Sequence, residues 1–182
     1  WNKDILIYTR KALSIISPRF AIVKGNAFVA DAIATAKILK DGDLAFIDPP
    51  YSGVQYSRFY HVLETIARGE AIAVFGTGRY PDRALRPQSR FSLKRHSQKE
   101  LWNLLKTISD KKIKAILTFP SHECSNGLSG TIIQEMAKEL FDVKVNIVES
   151  KFSTLGGNNK SGTGREAKRI TKELILTLYP RY

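Results

Sequence analysis

The sequence predicts an α/β fold in which helices cover a largely parallel β-sheet. The first observation is an alternation of elements, with helices over 2–16 and 28–39 and strands at 20–23 and 43–48. Helices between successive strands are typical of parallel sheets. The second observation is size, since 182 residues with a hydrophobic fraction of 43% suffice for a hydrophobic core. We therefore predict a single domain over 1–182.

The first elements are predicted from apolar spacing and from the turns that bound them. Apolar residues at near-helical spacing fill 2–16, and Ser17-Pro18 ends that helix. The four apolar residues Phe20 to Val23 predict a short strand. Leu44 to Ile47 follow the turn Asp41-Gly42-Asp43 and predict a buried central strand.

The remainder of the chain continues this pattern. Residues 52–57 are polar and predict a loop, and a helix follows over 58–68. Residues 73–95 show no regular pattern, and loops of that length in a compact domain tend to be functional or mobile. Ser97 to Glu100 has the form of a capping box and opens the next helix. The later elements are predicted at 115–119 (strand), 130–141 (helix), 143–148 (strand) and 174–179 (strand), with a glycine- and asparagine-rich loop at 154–164.

Composition excludes several classes of protein. No apolar run approaches the roughly 18–20 residues of a membrane span, and the chain does not open with a signal-peptide pattern. A single cysteine, Cys124, excludes an internal disulfide framework and predicts a reducing compartment, the cytoplasm. Three histidines far apart in sequence predict no metal site.

Positive charge is concentrated in two segments. The net charge is +12, and residues 79–95 and 151–172 each contain six basic residues and one acid, so together they carry ten of the twelve units. We predict basic loops at 76–95 and 151–172. Clustered Lys and Arg indicate a polyanion partner because they release counterions from phosphates. A solvated basic face is the alternative.

Individual basic residues in these loops are candidate nucleic-acid contacts. In the first loop they are interleaved with Tyr80 and Phe91, as in segments that follow a nucleic-acid backbone. A disordered basic loop is the alternative. The candidates are Arg79, Arg83, Arg86, Arg90 and Lys94 in the first loop, and Lys160, Arg165, Lys168 and Arg169 in the second.

The stretch Asp48-Pro49-Pro50-Tyr51 has a specific chemistry available to it. It follows the strand at 43–48, and ligands of open α/β sheets sit at the carboxyl ends of strands. A carboxylate and a fixed carbonyl can accept both hydrogens of an exocyclic amino group, which aims the nitrogen lone pair at an electrophile. Tyr51 can stack on an extruded base. The alternative is a tight proline turn with a surface tyrosine.

The residues around this stretch carry a family resemblance. The sequence GDLAFIDPPYSGVQYSRFYHVLE resembles the amino-group DNA methyltransferases of the Dam-like adenine methylase family. Residues 116–127 are similar to that family's next strand and polar loop, and 152–180 to its closing block. Residues 24–33 fall where the family has a strand end that contacts the cofactor's adenine.

This resemblance implies a Rossmann-like sheet with a C-terminal β-hairpin, S-adenosylmethionine as methyl donor and a flipped adenine as acceptor. By position, Asp48 and the carbonyl of Pro49 hold the amino group, Pro50 stiffens the turn and Tyr51 stacks on the base. The resemblance also implies that Asp48 contacts the cofactor. The cofactor's adenine is implied to lie beside Asn26, Ala27 and Phe28, although the family often has an acid at the position of Asn26.

The chain departs from the family in one respect. The family's glycine-rich cofactor loop has no match in residues 1–42, and its target-recognition segment normally lies upstream of residue 20. The chain therefore resembles the C-terminal part of such an enzyme. In the family's sheet, the missing first two strands would lie between the strands at 20–24 and 43–48. We expect an N-terminal segment or partner chain to complete the site, and this chain to bind S-adenosylmethionine weakly by itself.

The leading interpretation is a site-specific DNA adenine-N6 methyltransferase of a restriction-modification system. Cytosine N4 or an RNA base is the nearest variant, because the amino-group chemistry is shared. A basic nucleic-acid-binding module without complete catalytic machinery is the alternative from another class. A protein methyltransferase is disfavoured by the charge of +12.

Overall fold

The computed structural model describes residues 4–58, 60–153 and 168–181. The chain divides into two compact units, Trp1–Ala30 and Asp31–Tyr182. The helices are α1 (Ile5–Ile16), α2 (Ala32–Lys37), α3 (His61–Arg68), α4 (Ser97–Asp110) and α5 (Gly130–Leu140). The strands are β1 (Leu44–Ile47), β2 (Val74–Phe75), β3 (Tyr80–Pro81), β4 (Lys114–Pro120), β5 (Phe141–Ser153) and β6 (Lys168–Pro180).

The first unit contains α1 and an irregular tail. Asp4 caps the helix by accepting a hydrogen bond from the Leu6 amide at 2.8 Å, and the predicted helix is confirmed. The predicted strand at 20–23 is wrong, because residues 19–30 form neither helix nor strand. Phe20 and Ile22 are 84% and 100% exposed. A strand needs a neighbouring strand to satisfy its backbone, and residues 19–30 pair with none of the described strands.

The main sheet of the second unit has the order β1-β4-β6-β5. β1 pairs with β4 in parallel, whereas β4 and β5 both pair with β6 in antiparallel. The α/β class is confirmed, but the described sheet is not largely parallel. β1, β4 and β5 do run in one direction, as strands separated by helices are expected to do. Because β6 returns as a hairpin strand and inserts between β4 and β5, only one of the three pairs is parallel.

The hydrophobic core lies on one face of this sheet. Leu101, Leu105 and Ile108 of α4 are buried against alternate residues of β4 and β6, such as Leu117 and Leu176. On the opposite face of β1, Leu44 and Phe46 remain 55% and 67% exposed. The burial alternates because successive side chains of a strand point to opposite faces.

Several element boundaries differ from the predictions. α2 is shorter than the predicted 28–39 because Asp31 accepts from the Ala34 amide at 2.8 Å and starts the helix there. The terminal hairpin is longer than predicted, so residues 151–153 and 168–172 are in strands. Residues 154–164, predicted as a loop, lie outside the described residues. None of the helices in the described part is long and apolar enough to span a membrane.

Part of the predicted basic loop 76–95 has regular structure. It contains β3 of the short β2–β3 hairpin and two 3-10 turns, Arg83–Leu85 and Arg90–Ser92. The capping box predicted at Ser97 to Glu100 is wrong. His96 is the N-cap residue and makes no side-chain cap bond, whereas Ser97 lies inside the helix.

Candidate active site

Asp48 is held at the carboxyl end of β1 by the neighbouring strand. β1 and β4 are parallel with Ile47 opposite Leu117, so the residues that follow emerge at the same edge of the sheet. Thr118 of β4 donates a hydrogen bond from Oγ1 to Asp48 Oδ1 at 3.2 Å. The carboxylate is exposed, while Pro49 behind it is buried. Asp48 is therefore oriented from one side and open to a ligand on the other.

A buried amide fixes the two prolines. Asn126, which has no exposed surface, donates from Nδ2 to the carbonyl of Pro50 at 2.6 Å and to that of Phe91 at 3.1 Å. Its Oδ1 accepts from the Leu128 amide at 3.3 Å. Among the described residues, no hydrogen bond reaches the carbonyl of Pro49. The clamp on Pro50 thus leaves the preceding carbonyl available beside Asp48.

The loop that carries Asn126 is itself anchored to α4. Ser97 is fully buried and donates from Oγ to the Asn126 carbonyl at 2.7 Å. On the other side, Ser125 Oγ accepts from the Gly53 amide at 2.9 Å. A Cβ on Gly53 would lie 3.0 Å from the Ser125 carbonyl oxygen, so this approach favours glycine. Sequence reasoning missed both Asn126 and Ser97, because their partners are distant in sequence.

Tyr51 lies beside a group of tyrosine rings. Its ring is partly buried and meets Tyr56 edge-on, with centroids 6.2 Å apart and planes at 77°. Tyr56 in turn lies 5.5 Å from Tyr60. Burial, followed by the interaction with Tyr51, raises the pKa of Tyr56 well above its ordinary value. The Tyr56 phenol therefore stays protonated at neutral pH and presents an uncharged ring to Tyr51.

A groove of about 510 Å³ opens beside Asp48. It is lined by α2, β1 and α4, and nearly all lining residues are apolar. The polar side chains in the lining are Thr35, Asp48 and Ser89. Such a lining suits a planar, weakly polar group. Asp48 is the one charged side chain in this lining, and no basic side chain is present to pair with the carboxylate of S-adenosylmethionine, so the groove does not fit the whole cofactor.

The predicted cofactor-adenine contacts belong to the other unit. Asn26, Ala27 and Phe28 lie in Trp1–Ala30, outside any helix or strand, and all three are exposed. Phe28 is 84% exposed. Their role stays a prediction from the resemblance.

The basic candidates of the first loop differ in their surroundings. Arg79, at the hairpin turn with φ 46°, is exposed, as are Arg83 and Lys94. Arg90 forms an ion pair with Glu100 at 2.8 Å, so its charge is already compensated. Arg86 is partly buried, with its guanidinium 6.0 Å from the Tyr80 ring centroid.

The basic candidates of the second loop lie wholly or partly outside the described residues. Lys160 and Arg165 lie outside the described residues. The backbones of Lys168 and Arg169 are in β6, opposite Ser153 and Phe152, and their side chains lie outside the described part.

Cys124 is unsuited to nucleophilic chemistry. Burial, and secondarily the charge of Glu123, raises its pKa to about 11, so the thiol stays protonated at neutral pH. Nearby, His122 Nδ1 lies 3.1 Å from Thr171 Oγ1 of β6. Residues 122–124 thus belong to the loop that follows β4.

The Asp-Pro-Pro-Tyr turn lies at a strand end of an α/β sheet, as the resemblance to amino-group methyltransferases implies. Comparison with known proteins agrees: the D12 class N6 adenine-specific DNA methyltransferase family matches residues 3–123, and the chain belongs to this family. The resemblance predicted from the sequence is thereby confirmed.

Two curated relatives are similar to parts of the chain. Modification methylase LlaI of Lactococcus lactis subsp. lactis is 46% identical over 136 residues, which cover 74% of this chain and 20% of the relative. Type II methyltransferase M.FokI of Planomicrobium okeanokoites is 51% identical over 41 residues, which cover 22% of this chain and 6% of that protein. The chain thus spans a small part of each relative's length. No solved structure matches it significantly.

Proposed function

We propose that this chain carries the adenine-holding half of the active site of a site-specific DNA adenine-N6 methyltransferase of a restriction-modification system. The observation that supports this most is the pair of acceptors formed by the Asp48 carboxylate and the Pro49 carbonyl, next to the Tyr51 ring. We also propose that residues 1–182 form part of one catalytic domain with a Rossmann-like sheet.

The acceptor half of the reaction follows from the electronic structure of adenine. The lone pair of its amino nitrogen is delocalised into the ring, so the nitrogen is a poor nucleophile. Asp48 and the Pro49 carbonyl would each accept one amino hydrogen and favour a more tetrahedral nitrogen. The carboxylate would also stabilise positive charge that develops during methyl transfer. Thr118 orients the carboxylate, and the Asn126 clamp orients the proline turn.

S-adenosylmethionine supplies the methyl group in this proposal, which rests on family membership. The described groove fits only a planar part of that molecule. We propose that Asn26, Ala27 and Phe28 border the cofactor's adenine and that an additional segment or partner chain provides the glycine-rich loop.

DNA is the proposed partner of the basic segments. Exposed Arg79, Arg83 and Lys94 can approach the phosphate backbone without breaking an ion pair among the described residues. Counterion release from such contacts makes binding sensitive to salt. Lys160, Arg165, Lys168 and Arg169 are proposed to add contacts from the hairpin connection.

Binding of an extrahelical base tests the proposal without cofactor. Duplexes of mixed sequence would carry adenine, N6,N6-dimethyladenine or unsubstituted purine opposite an abasic site, which makes the base easy to extrude. We expect the full chain to bind the adenine duplex about tenfold more tightly, because only adenine donates two amino hydrogens. Fluorescence anisotropy measures this preference.

The Asp48→Ala variant should lose this preference and retain its affinity for a fully paired duplex. Asp41→Ala is the matched control, because it removes an exposed acid before β1 and changes the net charge equally. Equal affinity of the wild-type chain for all three duplexes would contradict the proposal and favour a nucleic-acid-binding module. Tighter binding of an extrahelical cytosine would assign the site to cytosine N4.

A further inference from the structure

Two arginines converge on one tyrosine close to the proposed base site. The guanidinium of Arg58 lies 4.6 Å from the centroid of the Tyr80 ring, and that of Arg86 lies 6.0 Å from the same centroid. The three residues come from the 3-10 turn Tyr56–Arg58, from β3 and from the end of the turn Arg83–Leu85. We call them the arginine–tyrosine cluster.

Reciprocal hydrogen bonds hold these segments together. Gln55 Nε2 donates to the Ser89 carbonyl at 2.9 Å, and the Ser89 amide donates to Gln55 Oε1 at 2.7 Å. The Tyr80 ring also lies directly over Gly78, where an added Cβ would clash with Cε2 of the ring. The uncharged residues Gln55 and Gly78 therefore hold the segments of the cluster in place, and the two arginine charges are not used for this purpose.

The cluster concentrates positive charge that no described carboxylate compensates. Arg68 and Arg90 pair with Glu64 and Glu100, whereas neither Arg58 nor Arg86 forms an ion pair among the described residues. Nε of Arg86 is buried and has no hydrogen-bond partner there either. Two guanidinium groups held near one ring repel each other, and an anion that pairs with them offsets that repulsion.

We propose that the arginine–tyrosine cluster binds a backbone phosphate adjacent to the extruded nucleotide. This proposal rests on the proposed function, because that function supplies the extruded nucleotide. Tyr51 contacts Tyr56, and Tyr56 shares its 3-10 turn with Arg58. A base stacked on Tyr51 therefore brings its own sugar and phosphates towards the cluster. The planar guanidinium matches phosphate oxygens in bidentate fashion, and the cation–π contact with Tyr80 restricts its position in advance.

The cluster is tested with Arg58→Gln and Arg86→Gln in the full chain, and Arg68→Gln is the matched control. The probe is the adenine duplex with an opposing abasic site, measured by fluorescence anisotropy over a salt series. We expect each cluster variant to bind about tenfold more weakly and the salt slope to fall by about 0.9 for each lost phosphate contact. The control, whose arginine is exposed and paired within α3, should change affinity less than about twofold.

A neutral methylphosphonate linkage on either side of the extruded adenosine identifies the phosphate. At the linkage that the cluster contacts, the methylphosphonate should weaken binding by the wild-type chain about tenfold. The same methylphosphonate should weaken binding by Arg86→Gln little further, because the neutral linkage and the substitution remove the same contact. If the methylphosphonate and Arg86→Gln weaken binding additively at both linkages, the cluster does not contact a phosphate adjacent to the extruded adenosine. If Arg58→Gln and Arg86→Gln bind the duplex as tightly as the Arg68→Gln control, the cluster is not a phosphate-binding site.

Thermal unfolding checks that each variant is folded. Should a glutamine variant unfold, Arg58→Lys and Arg86→Lys keep the charge while losing the planar fork, and they should bind the duplex several-fold more weakly. If the lysine variants bind the duplex as tightly as the wild type and the methylphosphonate has the same effect on them, the guanidinium groups do not bind the phosphate in bidentate fashion. If the cluster does not bind phosphate, the wild-type chain still prefers the duplex with an extrahelical adenine. If the proposed function is wrong, the wild-type chain shows no such preference.

Discussion

Replacing Asn126 with alanine should destabilise the second unit and loosen the proline turn together. The substitution removes the donor to the carbonyls of Pro50 and Phe91 and the acceptor of the Leu128 amide. A polar group left unsatisfied in the interior costs roughly 1–3 kcal/mol, and partly buried carbonyls fall at the lower end. We therefore expect the free energy of unfolding to fall by about 2–4 kcal/mol, a large share of the 5–15 kcal/mol typical of a domain.

Urea unfolding followed by circular dichroism measures this loss. Asn146→Ala is the control, because Asn146 is exposed on β5 and should change the free energy of unfolding by less than about 0.5 kcal/mol. In the folded state, Asn126→Ala should also reduce the preference for extrahelical adenine, because the Pro49 carbonyl is no longer positioned. A destabilisation as small as that of the control would refute the clamp.

Three further predictions concern other parts of the chain. Thr118→Val removes the hydrogen bond to Asp48, and we expect the adenine preference to fall about three- to tenfold, while an unchanged preference would exclude an orienting role. Alkylation of Cys124 by iodoacetamide should rise with a midpoint near pH 11, because the buried thiol loses its proton there; a midpoint near 9 would contradict this. Calorimetric titration of the chain with S-adenosylmethionine should show weak binding, because residues 1–42 contain no glycine-rich loop; tight stoichiometric binding would refute this expectation.

The candidate site was predictable where its information is local. Asp48 to Tyr51 are consecutive, and the apolar run before them predicts a strand end, which the structure confirms at β1. The clamp was not predictable, because Asn126 is 76 positions from Pro50 and looks like part of an ordinary polar turn. Likewise, Ser97 resembles a helix cap in sequence but donates to the Asn126 carbonyl, 29 positions away.

By itself the sequence determined the order of most helices and strands, the strand-end position of Asp48, the charge and the family. These follow from periodicity, turn formers and short motifs, which act over a few residues. Tertiary structure decided that β6 inserts between β4 and β5, that 20–23 forms no strand, and that Arg58 and Arg86 meet on Tyr80. Each of these depends on which distant backbone or ring is available as a partner, and local patterns carry no information about that choice.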